Sequence, residues 1–371
     1  MVDRLPVFIS AGDPSGDIAG SHLIGHLRSP DRQLAFLGLG GSRMAAAGQE
    51  QLIKGEKLAV LGFWEVAKKF LFFKKLMADS VALIEKKKPR AVILIDYPGF
   101  NMRLAAKIRH LNIPVVYYIS PQIWAWGGRR IKRIGQLVDL MLLILPFEKK
   151  IYDGAGIKNE FVGHYLLDDI APALIKSPYN NRSDLVILMP GSRPQEVDWM
   201  LPTMLDAAAI LARKGQWRFT VAAVKGDIDY RKYLSGCLVP VEIAYDRARE
   251  LIAAGRLVIA SSGTATLETG IIGRPMVVIY KTGLLTYLIT RGLITIDMIG
   301  LINIAAGEKI VPELIQREAV PAKIADEAIR FLDDENLSLE VAGKLNAITD
   351  CLGGPGAARR AAEAIREYIN C

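Results

Sequence analysis

Short runs of consecutive apolar residues recur along the chain, separated by stretches long enough for a helix. In the first half they are Pro6–Ala11, Leu34–Leu39, Ala91–Ile95, Val115–Ile119, Leu140–Leu145 and Glu160–Val162. Runs without polar alternation suit strands buried on both faces, as in a parallel sheet covered by helices. The pattern pauses at the polar stretch Lys176–Asp184 (KSPYNNRSD), which reads as a linker. It resumes with Leu185–Met189, Phe219–Val224, Val239–Ala244, Leu257–Ala260 and Met276–Tyr280. The expected fold is therefore α/β, with two doubly wound domains over residues 1–176 and 184–352 facing a cleft. An amphipathic segment, Ala357–Ile369, is expected to return with residues 355–371 to the first domain.

A chain of 371 residues is long enough for two such domains and too long for one ordinary core. The cysteines, Cys237, Cys351 and Cys371, are dispersed and form no C-x-x-C pair, so a disulfide framework and a zinc site find no support and a reducing cytosol is expected. The first residues read as a strand rather than a signal peptide, and the apolar stretch 283–306 is broken by Arg291, Asp297, Gly292 and Gly300, so no membrane span is expected. Charge is distributed unevenly. Residues 1–165 carry 24 Lys and Arg against 14 Asp and Glu, while residues 166–371 carry 23 against 25. The first half is thus expected to face something anionic.

Candidate chemistry lies where strands end. Gly12-Asp13-Pro14-Ser15-Gly16-Asp17 follows the first strand and opens a helix, either as an anion-binding turn or as a turn capped by Asp13 or Ser15. It matches neither the dinucleotide fingerprint nor the phosphate loop of nucleotide hydrolases. Asp96-Tyr97-Pro98-Gly99-Phe100-Asn101 puts a carboxylate at the end of a central strand, where it can take a proton from a hydroxyl or merely close a turn. Ser120 to Trp126 (SPQIWAW) offers Trp124 and Trp126 for stacking or packing. Arg129, Arg130, Lys132 and Arg133 follow, as a phosphate site or a solvated face.

In the second half, Gly191, Ser192 and Arg193 end a strand and suit a phosphate clamp. Ser262, Gly263 and Thr264 compose a helix start fitted to a diphosphate, with Glu268 a turn further on for ribose hydroxyls; a plain capping box is the alternative. Asp227-Ile228-Asp229, the pair His22 and His26, and His164 are weaker candidates for metal or substrate contact. On a helical wheel, Phe63, Val66, Phe70, Phe73 and Met77 share one face as core. Trp64, Leu71 and Phe72 fall elsewhere, among Lys68 and Lys75, a mixture suited to an anionic membrane surface unless neighbouring loops cover it. No nucleic-acid reader motif accompanies the charge, so no nucleic-acid partner is expected.

Taken in order, these motifs resemble the lipid-A-disaccharide synthase family of glycosyltransferases. The likeness runs through Gly12–Asp17, Leu61–Val66, Asp96–Asn101, Ser120–Trp126, Leu145–Glu148, Phe161–His164, Pro190–Arg193, Ser262–Glu268, Asn303 and Pro312-Glu313. The resemblance implies two Rossmann-like domains in the GT-B arrangement and an inverting reaction with neither cofactor nor metal. It implies UDP-2,3-diacylglucosamine as donor and 2,3-diacylglucosamine 1-phosphate as acceptor, at the inner face of the cytoplasmic membrane. In that scheme Asp96 is the base, with Asp13 as the other candidate. Gly191, Ser192, Arg193, Ser262, Gly263, Thr264, Glu268 and Asn303 hold the donor. Ser15, Asn101, Trp124, Trp126, Arg129, Arg130, Trp64, Phe72, Lys68 and Lys75 face acceptor or lipid, and the C-terminal segment is a candidate homodimer contact. Asp13-Pro14 replaces the family's Glu-Thr, Ile302 stands where proline is usual, and Glu308 where arginine is common.

Overall fold

The computed structural model describes residues 5–28, 34–53, 66–126, 129–226, 228–283 and 298–369. Contacts divide the chain into two units, Met1–Asp169 with Leu352–Cys371, and Ile170–Cys351.

In the first unit the apolar runs form β1 (Leu5–Ala11), β2 (Leu34–Leu39), β4 (Ala91–Ile95), β5 (Val115–Tyr118) and β6 (Leu140–Leu143). Two short strands, β3 (Gln49–Gln51) and β7 (Asn159–Phe161), close the edges, and every pairing is parallel in the order β3-β2-β1-β4-β5-β6-β7. Strand β4 is fully buried along its length because helices cover both faces. The sequence pattern misses β3: Gln-Glu-Gln carries no apolar signal, and the strand exists because Phe36 and Gly38 of β2 offer it a ladder.

The second unit repeats the arrangement with β8 (Leu185–Met189), β9 (Arg218–Ala223), β10 (Val241–Tyr245), β11 (Leu257–Ser261), β12 (Met276–Tyr280) and β13 (Glu313–Ile315). Its parallel order is β10-β9-β8-β11-β12-β13. In both sheets the strand order reverses beside the first strand of the unit, between β1 and β4 and between β8 and β11. At such a switch point the loops leaving the carboxyl ends diverge and leave room for a ligand.

The boundary falls earlier than the polar stretch 176–184. That stretch belongs to the second unit: Lys176 N–H donates to Ile271 O at 2.8 Å, and the buried Arg274 guanidinium donates to Ser177 O and Pro178 O at 2.8 Å each. These backbone bonds tie the stretch to the second unit.

The helix Ala357–Tyr368 returns to the first unit as its apolar stripe requires, burying Ala357, Ala358, Ala361, Ala362 and Ile365. The Asp168 carboxylate caps its start by accepting from the amides of Gly356, Ala357 and Ala358, and Arg366 donates to His26 O near its end. That face of the segment is therefore occupied within the chain. Among the described residues, no helix is long and apolar enough to cross a membrane.

Candidate active site

At the first switch point, β1 and β4 deliver Asp13 and Asp96 to one place. Asp13 is the N-cap of the helix Pro14–Leu27 and accepts from Gly16 N–H at 2.7 Å, and its charge acts on the neighbouring Asp96 carboxyl. Asp96 and Tyr97 are both left-handed, at φ 44° and 48°, a costly conformation for two successive non-glycine residues. Three contacts impose it. Asn101 Nδ2 donates to Asp96 O at 2.8 Å, Tyr117 Oη donates to the same oxygen at 2.6 Å, and Asp96 N–H donates to Tyr118 O at 3.0 Å. The Tyr97 ring lies over Gly12 so closely that a Cβ there would come within 2.3 Å of it, which is why this turn requires glycine.

Burial pushes the Asp96 carboxyl up to about 7, and the neighbouring Asp13 adds to the shift. The like charge of Asp13 disfavours ionisation of Asp96 beside it. A carboxylate with that affinity is a stronger base than an ordinary aspartate and is still half ionised at physiological pH.

Sequence reasoning gave Glu148 no role of its own. It is 2% exposed and accepts from the Ser120 hydroxyl, from Trp124 Nε1 at 3.3 Å and from Leu145 N–H at 3.2 Å. Burial raises it to about 7, and its charge reaches Asp96. The signal available was a glutamate inside an apolar run, LILPFE, where a charge is expensive.

Several expected acceptor contacts have other partners. Asn101 is fully buried: its amide donates to Ser10 O, Ile95 O and Asp96 O and accepts from Ser10 Oγ, so it braces Asp96 instead of facing a substrate. Trp124 donates to Glu148 and packs edge-on to Phe147 at 5.7 Å, which makes it part of the wall. In the helix Val66–Lys87, Phe72 is half-buried against the first core and meets Phe73 at 5.5 Å, while Leu71 is 65% exposed. Lys75 pairs with Asp79 at 2.7 Å. His164 is buried, accepts from Leu166 N–H through Nδ1 and is pushed down to about 3, so it stays neutral and closes the core. His22 pairs with Asp169 at 3.2 Å, and Asp229 accepts from Arg231 N–H. Ser15 is half-buried in the first turn of its helix. Trp64, Asp227 and the side chains of Trp126, Arg129, Arg130 and Lys68 lie outside the described residues.

The second unit presents its own anion-binding elements. After β8, Gly191 adopts φ 107° and turns the amides of Ser192 and Arg193 onto one point, where they donate to Glu196 Oε2 at 3.0 and 3.2 Å. Arg193 Nη1 donates to Glu196 Oε1 at 2.7 Å. The loop thus gathers two amides and a guanidinium on an oxyanion, and the chain's own carboxylate fills it. After β11, Gly263 has φ 147° with open space where a Cβ would stand, and the helix Thr264–Ile272 begins without a side-chain cap. Ser262 contributes less than expected, because its N–H is bonded to Ile279 O and its hydroxyl to Ile299 O. Glu268 is held by Arg249, whose Nε and Nη2 donate to Oε1 at 3.0 and 2.7 Å, leaving Oε2 to other donors.

Asn303 differs from the donor contact expected of it. It is fully buried, its Nδ2 donates to Val311 O and Glu313 Oε1, and its Oδ1 accepts from the amides of Ile310 and Val311. With Glu313, which also accepts from Ile299 and Gly300 N–H, it staples the helix Leu301–Ala306 to the edge of the sheet. The pairing of the two motif residues is thereby structural.

A family model described as lipid-A-disaccharide synthetase matches residues 7–350. The chain belongs to the lipid-A-disaccharide synthase family. It is 40% identical to the lipid-A-disaccharide synthase of Trichlorobacter lovleyi over 98% of this chain and 97% of that one. It is also 40% identical to that of Nitrosococcus oceani, over 96% of this chain and 94% of the relative. Members of this family are glycosyltransferases of lipid A biosynthesis. Among solved structures, the calicheamicin glycosyltransferase CalG4 superposes with a TM-score of 0.64 at 15% identity, over 100% of this chain and 99% of that one. The UDP-GlcNAc 2-epimerase of Neisseria meningitidis bound to UDP-GlcNAc gives 0.63 at 11%, over 98% and 100%. At such identities the likeness concerns the GT-B fold alone.

Proposed function

We propose that the protein joins UDP-2,3-diacylglucosamine to 2,3-diacylglucosamine 1-phosphate, forming the β-1,6-linked disaccharide 1-phosphate and UDP. The observation that supports this most is the buried, raised Asp96 beside Asp13 at the first switch point. Asp96 takes the proton of the acceptor 6-hydroxyl as its oxygen bonds to the donor anomeric carbon. The bond from that carbon to the diphosphate breaks, and the configuration inverts in one displacement. The neighbouring Asp13 carboxylate strengthens that base by raising its proton affinity.

The second unit holds the leaving group. The Ser192 and Arg193 amides and the Arg193 guanidinium take a diphosphate oxygen once Glu196 yields them, and the open amides at Gly263 and Thr264 take another. Glu268, oriented by Arg249, accepts from ribose hydroxyls. The excess positive charge of residues 1–165 and the exposed Leu71 support attachment to the anionic inner face of the cytoplasmic membrane, from which the lipid acceptor is drawn.

Release of UDP from UDP-2,3-diacylglucosamine, required to depend on the acylated acceptor and to persist in EDTA, tests the reading. Isomerisation of a UDP-sugar without acceptor, or binding without turnover, would overturn it.

A further inference from the structure

Glu148 is a buried acid that the transfer scheme leaves unused. It starts the helix Glu148–Gly154, and the Ser120 hydroxyl, the Trp124 indole and the Leu145 amide all point at it. All three are donors, and among the described residues no lysine or arginine forms an ion pair with it. A buried carboxylate without a cation is costly to keep, and an amide side chain of the same size would satisfy much of this geometry without that cost. What a carboxylate adds is a charge that can be present or absent.

We propose that Glu148 is a positioning residue for the glycosyl transfer: it ties the Ser120–Trp124 segment to the carboxyl end of the first sheet, the end from which Asp13 and Asp96 also follow. The inference rests on the transfer reading above. The backbone agrees with a strained, held loop, since Ile119, just before Ser120, is left-handed at φ 66° and buried.

Around Asp96 the titratable groups are Asp13 from the first turn after β1, its neighbour Tyr97, Tyr117 from β5 and Glu148; around Glu148 they are Tyr152 and Asp96. Among the described residues no cation enters either set of interactions. The like charge of Glu148 therefore adds to the proton affinity of Asp96, against the lowering by the Tyr97 backbone hydrogen bond.

The test is the pH profile of kcat/KM for UDP release by the full-length protein, comparing Glu148→Gln with the unaltered chain. The expected result is a folded variant with kcat/KM at pH 7.5 down roughly tenfold, as for one lost buried hydrogen bond, and an acidic limb displaced to lower pH because Asp96 loses a like charge. A tenfold loss with an unmoved limb, or no change at all, would overturn the proposal. Should the amide variant fail to fold, Ser120→Ala leaves the carboxyl in place and removes one donor that favours its charge. Its limb should move the same way by less, and an unmoved limb in that folded variant is equally fatal. Inactivity of the unaltered protein would instead discard the transfer reading.

Discussion

The Asn101 side-chain amide donates to the carbonyl oxygen of Asp96 at 2.8 Å. That single bond joins a residue buried in the first turn of the helix Pro98–Ile108 to the strained residue that ends β4, and the same amide also holds Ser10 at the end of β1. Asn101→Ala would remove these bonds and take the acceptor from the buried Ser10 hydroxyl, leaving Tyr117 as the side-chain donor to Asp96 O. Stability should fall by about 3 kcal/mol, read as a lower denaturant midpoint at unchanged slope, and kcat should fall with it because the left-handed turn at Asp96 loses one of its three restraints.

Removal of the base itself separates chemistry from binding. Asp96→Asn should lower kcat by roughly a hundred- to ten-thousandfold, the usual weight of general-base catalysis, with the UDP-sugar KM little changed and the fold intact. The unaltered enzyme should lose kcat/KM on acidification with a midpoint near the Asp96 value of about 7. Near-native turnover by folded Asp96→Asn would shift the role of base to Asp13.

Donor binding offers an independent test. Arg249 makes two bonds to Glu268 and is partly buried. Arg249→Met should leave the carboxylate undirected and raise the KM for UDP-sugar about tenfold, with a smaller effect on kcat at saturating donor. Isothermal titration with UDP alone should show the same loss.

Stability should respond to pH in two opposed ways. His164 is pushed down to about 3 in the folded chain, so unfolding takes up its proton first and stability falls with acidification below its ordinary value of 6.5. Asp96 and Glu148 are raised to about 7, so their contribution is present in acid and is lost as pH rises toward 7. His164→Gln should flatten the acid-side loss in denaturant titrations between pH 6.5 and 4, whereas Asp96→Asn should flatten the decline toward neutral pH.

How much was legible beforehand follows from where each residue sits. The central strands and the returning helix Ala357–Tyr368 could be read because burial on both faces, or on one stripe, leaves an apolar period in the sequence. Asp96, Asp13 and the Gly263 helix start could be read because they follow such strands directly. The edge strands β3 and β13 could not, since partners across the sheet create them and their own residues do not.

The sequence by itself determined that two doubly wound α/β units exist, which loops end their central strands, and which family the chain joins, because these depend on local period and motif order. Only the tertiary structure decided what the polar residues in those loops do. Asn101 and Asn303 are spent on the chain's own backbone and on Ser10 and Glu313, Trp124 is spent on Glu148, and Glu196 fills the anion pocket that Ser192 and Arg193 form. Whether a polar side chain meets a ligand or its own chain depends on which donors and acceptors tertiary packing brings to it, and those lie far away in sequence: Asn101 from Ser10, Glu148 from Ser120.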